Sequence, residues 1–319
     1  MSNLIAIIAG EPNSINSEII AKAWKKKGKV KNIFVIGNYD ILKKQIQKLN
    51  IKIPLIQINK VERFTRQDKL YVLNVPLKFK SIFNVDTSAS KTYIFKSFEI
   101  AHDLAINKKI KGFINTSIEK KIFTNKFLGV TEYLSNKNKV NNEEVMMIHN
   151  KQLSVVPLTT HVDIKNVTNK ITFNLIKKKI DTLNKFYLIL FKKKPRIGVL
   201  GLNPHNSENK YNSIENKIIK PAIIKLKKQK IDIHGPFSAD TAFNEKNINT
   251  YDVLVGMYHD QVLGPFKALY GYDAINITLG LKYLRLSPDH GVARDIVGLY
   301  KANPQSLISA INFLSRIND

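Results

Sequence analysis

The sequence predicts an α/β fold with a largely parallel sheet and helices on both faces, arranged as two domains or one large unit. Three observations predict it. Short apolar runs alternate with amphipathic stretches along most of the chain. A length of 319 residues is long for a single hydrophobic core. The unusual polar residues fall just after the apolar runs, where loops at the carboxyl ends of strands gather ligands.

Leu4 to Ala9 reads as a buried strand, and Ser17 to Lys27 as the amphipathic helix after it. Asn32 to Ile36 and Tyr39 to Leu49 repeat the pattern. Ser90 to Asn107 is helical and leads into the strand Gly112 to Ile114. The lysine- and asparagine-rich stretch Ser135 to Glu144 reads as an exposed connection, with a domain change near Val130. Leu153 to Leu158 is apolar and runs into Thr159-Thr160-His161. Arg196 to Leu202 is a strand that runs into Asn203-Pro204-His205, and Ile214 to Lys228 a helix. Asp252 to Met257 is a strand that runs into Tyr258-His259-Asp260-Gln261, and Pro304 to Ile317 is the last helix. Internal repeats are absent.

An apolar fraction of 44% is ordinary for a globular protein and too high for a disordered one. No apolar run approaches the roughly 20 residues of a membrane helix. The start, Met1-Ser2-Asn3-Leu4, has neither basic lead-in nor cleavage site, so a cytoplasmic location is expected. Without cysteine there are no disulfides, thiolate ligands or thiol nucleophile.

The net charge of +26 raises the question of nucleic acid. The charge is nearly all lysine, the arginines being Arg63, Arg66, Arg196, Arg285, Arg294 and Arg316. Lysine runs such as Lys25-Lys26-Lys27, Lys177-Lys178-Lys179 and Lys192-Lys193-Lys194 are scattered, and aromatic residues do not interleave with them as in a base-stacking platform. Lysine, asparagine and isoleucine all have AT-rich codons, so a solvated lysine surface produced by coding bias is the simpler reading. No specific nucleic-acid partner is expected.

Three of the seven histidines have bland explanations. His102 and His149 read as surface or helix-end residues, and His234, before the Gly235-Pro236 turn, as a structural hydrogen-bonding group. His290 belongs to a motif taken up below. His161, His205 and His259 share one context, a polar loop directly after a strand. Each alone suits a structural role. Three imidazoles with an open fourth position also suit a catalytic zinc or another divalent ion.

Read in full, the segments around these histidines resemble the 4-hydroxythreonine-4-phosphate dehydrogenase family of vitamin B6 biosynthesis. The strongest block is Met257-Tyr258-His259-Asp260-Gln261, continuing through Lys267 and Asn276-Ile277-Thr278-Leu279-Gly280-Leu281 to Arg285 and Ser287-Pro288-Asp289-His290-Gly291. Gly201-Leu202-Asn203-Pro204-His205, Gly235-Pro236-Phe237-Ser238-Ala239-Asp240-Thr241, Thr159-Thr160-His161 and Thr131-Glu132-Tyr133-Leu134 support it. The blocks keep the family's order over nearly the whole chain. The resemblance implies a homodimer of two-domain α/β/α subunits, with an active site in the interdomain cleft at the dimer interface. It implies metal ligation by His161, His205 and His259, with zinc, magnesium, manganese or cobalt as the ion. Substrate contacts would come from Thr131, Asp240, Lys267, Asn276 and Arg285. Asp240 and Asp260 each remain candidates to hold the substrate amine, orient a histidine or accept the hydroxyl proton.

His290-Gly291-Val292-Ala293-Arg294-Asp295-Ile296-Val297-Gly298, with Ala302-Asn303-Pro304, resembles the adenosine-binding loop of isocitrate and isopropylmalate dehydrogenases, a fold that binds NAD without a Rossmann fingerprint. The cofactor-binding candidates are Glu208, Asp289, His290, Gly291 and Asp295, for NAD or NADP. On this reading 1–130 with 290–319 form the cofactor-loop domain, and 131–289 the metal- and substrate-binding domain. The implied reaction is oxidation of the C3 alcohol of 4-phosphooxy-L-threonine, followed by loss of CO2 to give 3-amino-2-oxopropyl phosphate.

Three departures from the family pattern stand out. Val130 replaces a histidine before Thr131. Gly10-Glu11-Pro12-Asn13-Ser14-Ile15-Asn16-Ser17-Glu18 replaces a glycine-rich loop. Asn206-Ser207-Glu208-Asn209-Lys210 replaces a small residue followed by Gly-Glu-Gly-Gly. Asparagine tolerates left-handed geometry best after glycine, so the loop shapes are expected to survive. The competing functions are a dehydrogenase of 4-phosphoerythronate or 4-phosphothreonate, a lysine-rich nucleic-acid binder, and a non-catalytic remnant.

Overall fold

A computed structural model describes residues 3–27, 32–62, 64, 68–123, 127, 129–140, 143–271 and 273–317, apart from the side chains of Lys120 and Asn209. Arg63, Arg66, Met1 and Ser2 lie outside the described residues. The strands in chain order are β1 (Ile5–Ile8), β2 (Ile33–Gly37), β3 (Leu55–Ile58), β4 (Leu70–Asn74), β5 (Gly112–Asn115), β6 (Val145–His149), β7 (Ser154–Thr159), β8 (Ile197–Leu200), β9 (Ile233–Phe237), β10 (Val253–Tyr258), β11 (Ile275–Leu279) and β12 (Leu284–Pro288). The chain divides into two compact units, one of residues 1–129 with 282–319 and one of residues 130–281.

In the first unit the strands run in the order β3-β4-β2-β1-β5-β12, every neighbouring pair parallel. Such strands are covered on both faces, and their residues show it: β1 and β2 are buried throughout. Helix Tyr39–Lys48 begins where the Asn38 side chain accepts from the Ile41 amide at 3.0 Å. It buries Ile41, Leu42, Gln45 and Ile46 as one stripe at helical spacing, apolar but for Gln45, whose amide donates to the Pro12 carbonyl at 2.8 Å. Helix Thr87–Ile106 starts on the Asp86 carboxylate, which accepts from the amides of Ser88 and Ala89. The segment 282–289, assigned from sequence to the substrate domain, belongs to this unit because Leu284, Arg285 and Leu286 pair with β5.

In the second unit the order is β11-β6-β7-β10-β8-β9. Here the largely parallel expectation needs correction: β6 is antiparallel to both of its neighbours, while β7, β10, β8 and β9 are mutually parallel. β6 and β7 are joined by a tight connection in which Asn150 accepts from the amides of Gln152 and Leu153, and such a short link permits only antiparallel pairing. Helix Phe173–Phe191, which the sequence reading did not assign, starts on a Thr172 cap and ends at Lys192 with φ 56°.

Two more expectations change. Ser135 to Glu144 does not begin as an exposed connection. Helix Val130–Asn138 runs through its first part, and Ser135 is buried, with its hydroxyl donating to Glu144 at 2.7 Å; residues 141–142 lie outside the described residues. His149 is not a surface histidine. It packs against Phe191 and Ser154, and burial pushes its pKa down to about 4. His234 does make a structural hydrogen bond, to Asp232 at 2.8 Å, but Gly235 and Pro236 lie inside β9 and not in a turn. No described helix is long and apolar enough to cross a membrane.

Candidate active site

Because β7, β10 and β8 are adjacent and parallel, their carboxyl ends share one edge of the second unit's sheet. His161 lies two residues beyond the end of β7, His205 lies beyond β8, and His259 follows β10 directly as the first residue of helix His259–Tyr270. β9, next to β8, ends at Phe237, so Asp240 is in the turn on that same edge. Side chains lace the strand ends together. Thr159 Oγ1 donates to the Met257 carbonyl at 2.8 Å. Gln261, buried in the first turn of its helix, accepts from the Met257 amide and donates to the Gly201 carbonyl, both at 2.7 Å.

His161 and His259 come together, with ring centroids 6.2 Å apart. Each has a carboxylate behind it. His259 Nδ1 meets Asp260 Oδ1 at 2.6 Å, and His161 Nδ1 faces Glu132 Oε1 at 3.6 Å. A carboxylate on Nδ1 fixes the ring and leaves Nε2 to ligate, the support that metal-bound imidazoles usually have. These two residues therefore fit a divalent ion. His205 is not brought in with them: among the described residues no three His, Cys, Asp or Glu side chains form a group able to hold a metal. Its position explains this. His205 is exposed and opens a run of four left-handed residues, with φ of 48, 54, 54 and 50° from His205 to Glu208.

That run is costly for residues other than glycine, about 1 kcal/mol or more each, and Glu215 offsets part of it. The buried Glu215 carboxylate accepts from the amides of Leu202 and Asn203 at 3.1 and 2.8 Å, and from the Ser207 hydroxyl at 2.9 Å. Burial pushes this carboxyl up, but the donors from Asn203 and Ser207 outweigh it and hold the pKa below the usual range. Asn206 donates to the Pro236 carbonyl at 3.1 Å. Left-handed backbone is absent from the asparagine-bearing part of the N-terminal loop, where Asn13, Ser14 and Asn16 all have ordinary φ. There asparagine is used for hydrogen bonds: Asn13 exchanges two with Val85, and Asn16 pairs with the hydroxyl and carbonyl of Ser117.

The remaining candidates are spread out. Thr131 is in the first turn of helix Val130–Asn138, one residue before the Glu132 that faces His161. Lys267 lies exposed two turns along the helix that His259 opens. Asn276 stands elsewhere: through β6 it is level with Val155 of β7, four residues short of the strand's end, or about 13 Å along the strand. Its Oδ1 is buried without a hydrogen-bond partner. Arg285 is in the first unit, 3% exposed, with Nε donating to Asn115 at 2.7 Å. Two open cavities of about 610 and 590 Å³ contain none of these residues.

In the first unit the loop after β12 carries Asp289, His290, Gly291 and Asp295. His290 Nδ1 bonds the Gly291 carbonyl at 2.9 Å, and Nε2 is buried without a hydrogen-bond partner. Burial lowers its pKa, against smaller opposite effects of Gly291 and Asp289. A Cβ on Gly291 would meet nothing within 4 Å. An orphaned imidazole nitrogen beside an open glycine fits a ligand such as a nucleotide. Glu208, in the left-handed loop, belongs to the other unit.

The family model for the pyridoxal phosphate biosynthetic protein PdxA matches residues 29–314. The chain belongs to this family. A 4-hydroxythreonine-4-phosphate dehydrogenase of Sulfurihydrogenibium sp. (strain YO3AOP1) is 35% identical over 316 residues, 96% of each chain. One of Aquifex aeolicus (strain VF5) is 34% identical over 323 residues, 100% of this chain and 99% of the other. Crystal structures of proteins with that name align closely. The Klebsiella pneumoniae protein gives a TM-score of 0.84 at 26% identity, covering 98% of this chain and 99% of the other. The Burkholderia phymatum protein gives 0.81 at 28%, covering 98% of each.

Within this PdxA-family chain, sequence reasoning missed Glu132, Glu215 and Gln261 as supports of the histidine loops. Two of them carried a signal. Glu132 follows Thr131, and Gln261 follows Asp260, inside blocks already singled out for their neighbours.

Proposed function

We propose that the chain catalyses the NAD(P)-linked oxidation of 4-phosphooxy-L-threonine to 2-amino-3-oxo-4-phosphooxybutanoate, which loses CO2 to give 3-amino-2-oxopropyl phosphate for pyridoxine 5'-phosphate biosynthesis in the cytoplasm. The observation that carries the reading is the set of three histidine loops on adjoining parallel strands, in a chain that is alike over its full length to proteins named for this reaction.

His161, His205 and His259 would hold one divalent ion, zinc, magnesium, manganese or cobalt, with Glu132 and Asp260 orienting the rings of His161 and His259 and His205 turned in from its exposed loop. When bound, the ion supplies Lewis acidity at the substrate's hydroxyl, and the dinucleotide supplies the hydride acceptor. The chain's own groups do the rest. Lys267 and Arg285 offer a point charge and a planar fork to phosphate oxygens. Thr131 and Asn276 give neutral hydrogen bonds, and Asp240 or Asp260 accepts the hydroxyl proton or holds the amine. Glu208, Asp289, His290, Gly291 and Asp295 contact the cofactor.

A homodimer supports this assignment better than one subunit does. Asn276 lies well back from the histidine edge of its own sheet, so a second copy would be the source of an Asn276 set opposite the histidines. The deciding experiment is an assay of the purified chain with NAD and NADP on 4-phosphooxy-L-threonine, 4-phosphoerythronate and 4-phosphothreonate, with metal analysis. Turnover of only an amine-free substrate would replace the vitamin B6 assignment with the related dehydrogenase that Val130 leaves open.

A further inference from the structure

The loop from Asp289 to Pro304 has little structure of its own. It contains one short turn, Arg294–Ile296, and left-handed residues at Ala293, Gly298 and Tyr300 with φ of 45, 78 and 59°. A loop of this kind takes its shape from what it touches. Near its start, Asp289 N is held by the Ser306 hydroxyl at 2.8 Å, and the Val292 carbonyl accepts from Ile15 N at 3.3 Å. Arg294 pairs with Glu119 at 2.6 Å.

Its far end is held by two residues one turn apart on helix Asn16–Lys27. Lys22 Nζ donates to the Tyr300 carbonyl at 2.8 Å, to the Ala302 carbonyl at 2.9 Å and to Glu18 Oε1 at 2.7 Å. The ammonium also lies 3.9 Å from the centroid of the Tyr300 ring. Glu18 Oε1 accepts from the Ala302 amide at 2.8 Å, and Glu18 is only 1% exposed. A buried ion pair is a poor source of stability compared with apolar residues of the same size. What this pair achieves is geometry, since two charges fix both polar groups of Ala302 and the carbonyl of Tyr300.

We infer that Glu18 and Lys22 are positioning residues for the dinucleotide: they lock the far end of the loop so that His290, Gly291 and Asp295 keep the shape that receives the nucleotide. The inference rests on the proposed NAD(P)-linked reaction. It assigns a task to a helix that carries none of the cofactor-binding candidates.

The test uses the full chain with Lys22→Met and Lys22→Arg. Hydrogen exchange of the Ala302 amide, read without cofactor, accelerates in Lys22→Met and stays near wild type in Lys22→Arg. The KM for NAD rises between about tenfold and a hundredfold in Lys22→Met, while kcat at saturating NAD and the KM for the phosphorylated substrate change less than threefold. Lys22→Arg recovers most of the loss. If Lys22→Met does not fold, Glu18→Gln, which keeps an acceptor for Ala302, is read in the same way. Faster exchange with an unchanged KM for NAD overturns the inference alone. Parallel losses in kcat and both KM values, with a lowered Tm, also overturn it, as the mark of a merely structural pair. Wild-type protein that uses neither NAD nor NADP overturns the proposed reaction, and the inference with it.

Discussion

The side-chain amide of Gln261 donates to the Gly201 carbonyl at 2.7 Å, tying the strand end that precedes His205 to the helix that His259 begins. The same amide's oxygen accepts from Met257 N, so one buried side chain satisfies two backbone groups on neighbouring strands. Gln261→Leu has nearly the right volume and neither hydrogen bond. It leaves a buried N–H and a buried C=O unpaired, at about 1–3 kcal/mol each. The expected result is a Tm several degrees lower, with weaker binding of added zinc. Urea titration and metal titration of the same variant check this, and wild-type stability in both would remove Gln261 from the site's framework.

Asp260 is predicted to orient His259 through the 2.6 Å contact between Oδ1 and Nδ1. Loss of such a partner weakens metal binding by about 10–100-fold. Asp260→Ala should therefore bind added zinc about 10–100-fold more weakly, while His259→Ala binds none at the same site. Zinc affinity measured on the protein alone separates this from a proton-accepting role. An Asp260→Ala variant with unchanged zinc affinity and lost turnover would make Asp260 the proton acceptor instead.

Much of this was legible in the sequence, for identifiable reasons. The strand ending at Leu200 and the one ending at Tyr258 are continuous apolar runs, as strands covered on both faces must be, and His205 and His259 follow them. β11 and β12 carry polar residues inside the run, Asn276 and Thr278 in one, Arg285 and Ser287 in the other, so apolar periodicity alone did not mark them as strands. The reversal of β6 was equally hidden, because strand direction depends on the connection and not on the strand's own residues. His149 looked superficial because Asn150 and Lys151 follow it, yet Phe191, far along the chain, covers it. The two asparagine-bearing loops show the limit of substitution logic. Asparagine meets left-handed backbone at Asn206, where the family pattern has a small residue, and an ordinary helix start at Asn16, where it has glycine.

His149 gives the second unit an acid-sensitive point. Its pKa is lowered by burial to about 4, below the value of about 6.5 of an exposed histidine. Between those values the unfolded chain binds the proton and the folded one does not, so stability falls as pH drops from about 6.5 toward 4. The loss attributable to this group is about 2–3 kcal/mol at pH 4.5. Denaturant titrations of wild type and His149→Gln at pH 7 and pH 4.5 read it by difference. The variant should show a smaller drop, and equal drops in both proteins would mean that the folded state protonates His149 freely.

Glu208 allows backbone strain and ligand contact to be read separately. Its φ is 50°, and its ion pair with Lys210, at 3.9 Å between two exposed side chains, contributes little. Alanine in place of Glu208 keeps the left-handed penalty that any Cβ brings, whereas glycine removes it. Glu208→Gly should therefore be the more stable of the two variants by about 1 kcal/mol, the reverse of their order in an ordinary helix. Both lack the carboxylate, so both should raise the KM for NAD by the same factor if Glu208 contacts the cofactor. Equal stabilities would mean that the loop relaxes out of the left-handed region. An unchanged KM for NAD in both would take Glu208 out of the cofactor site and leave that task to the His290 loop.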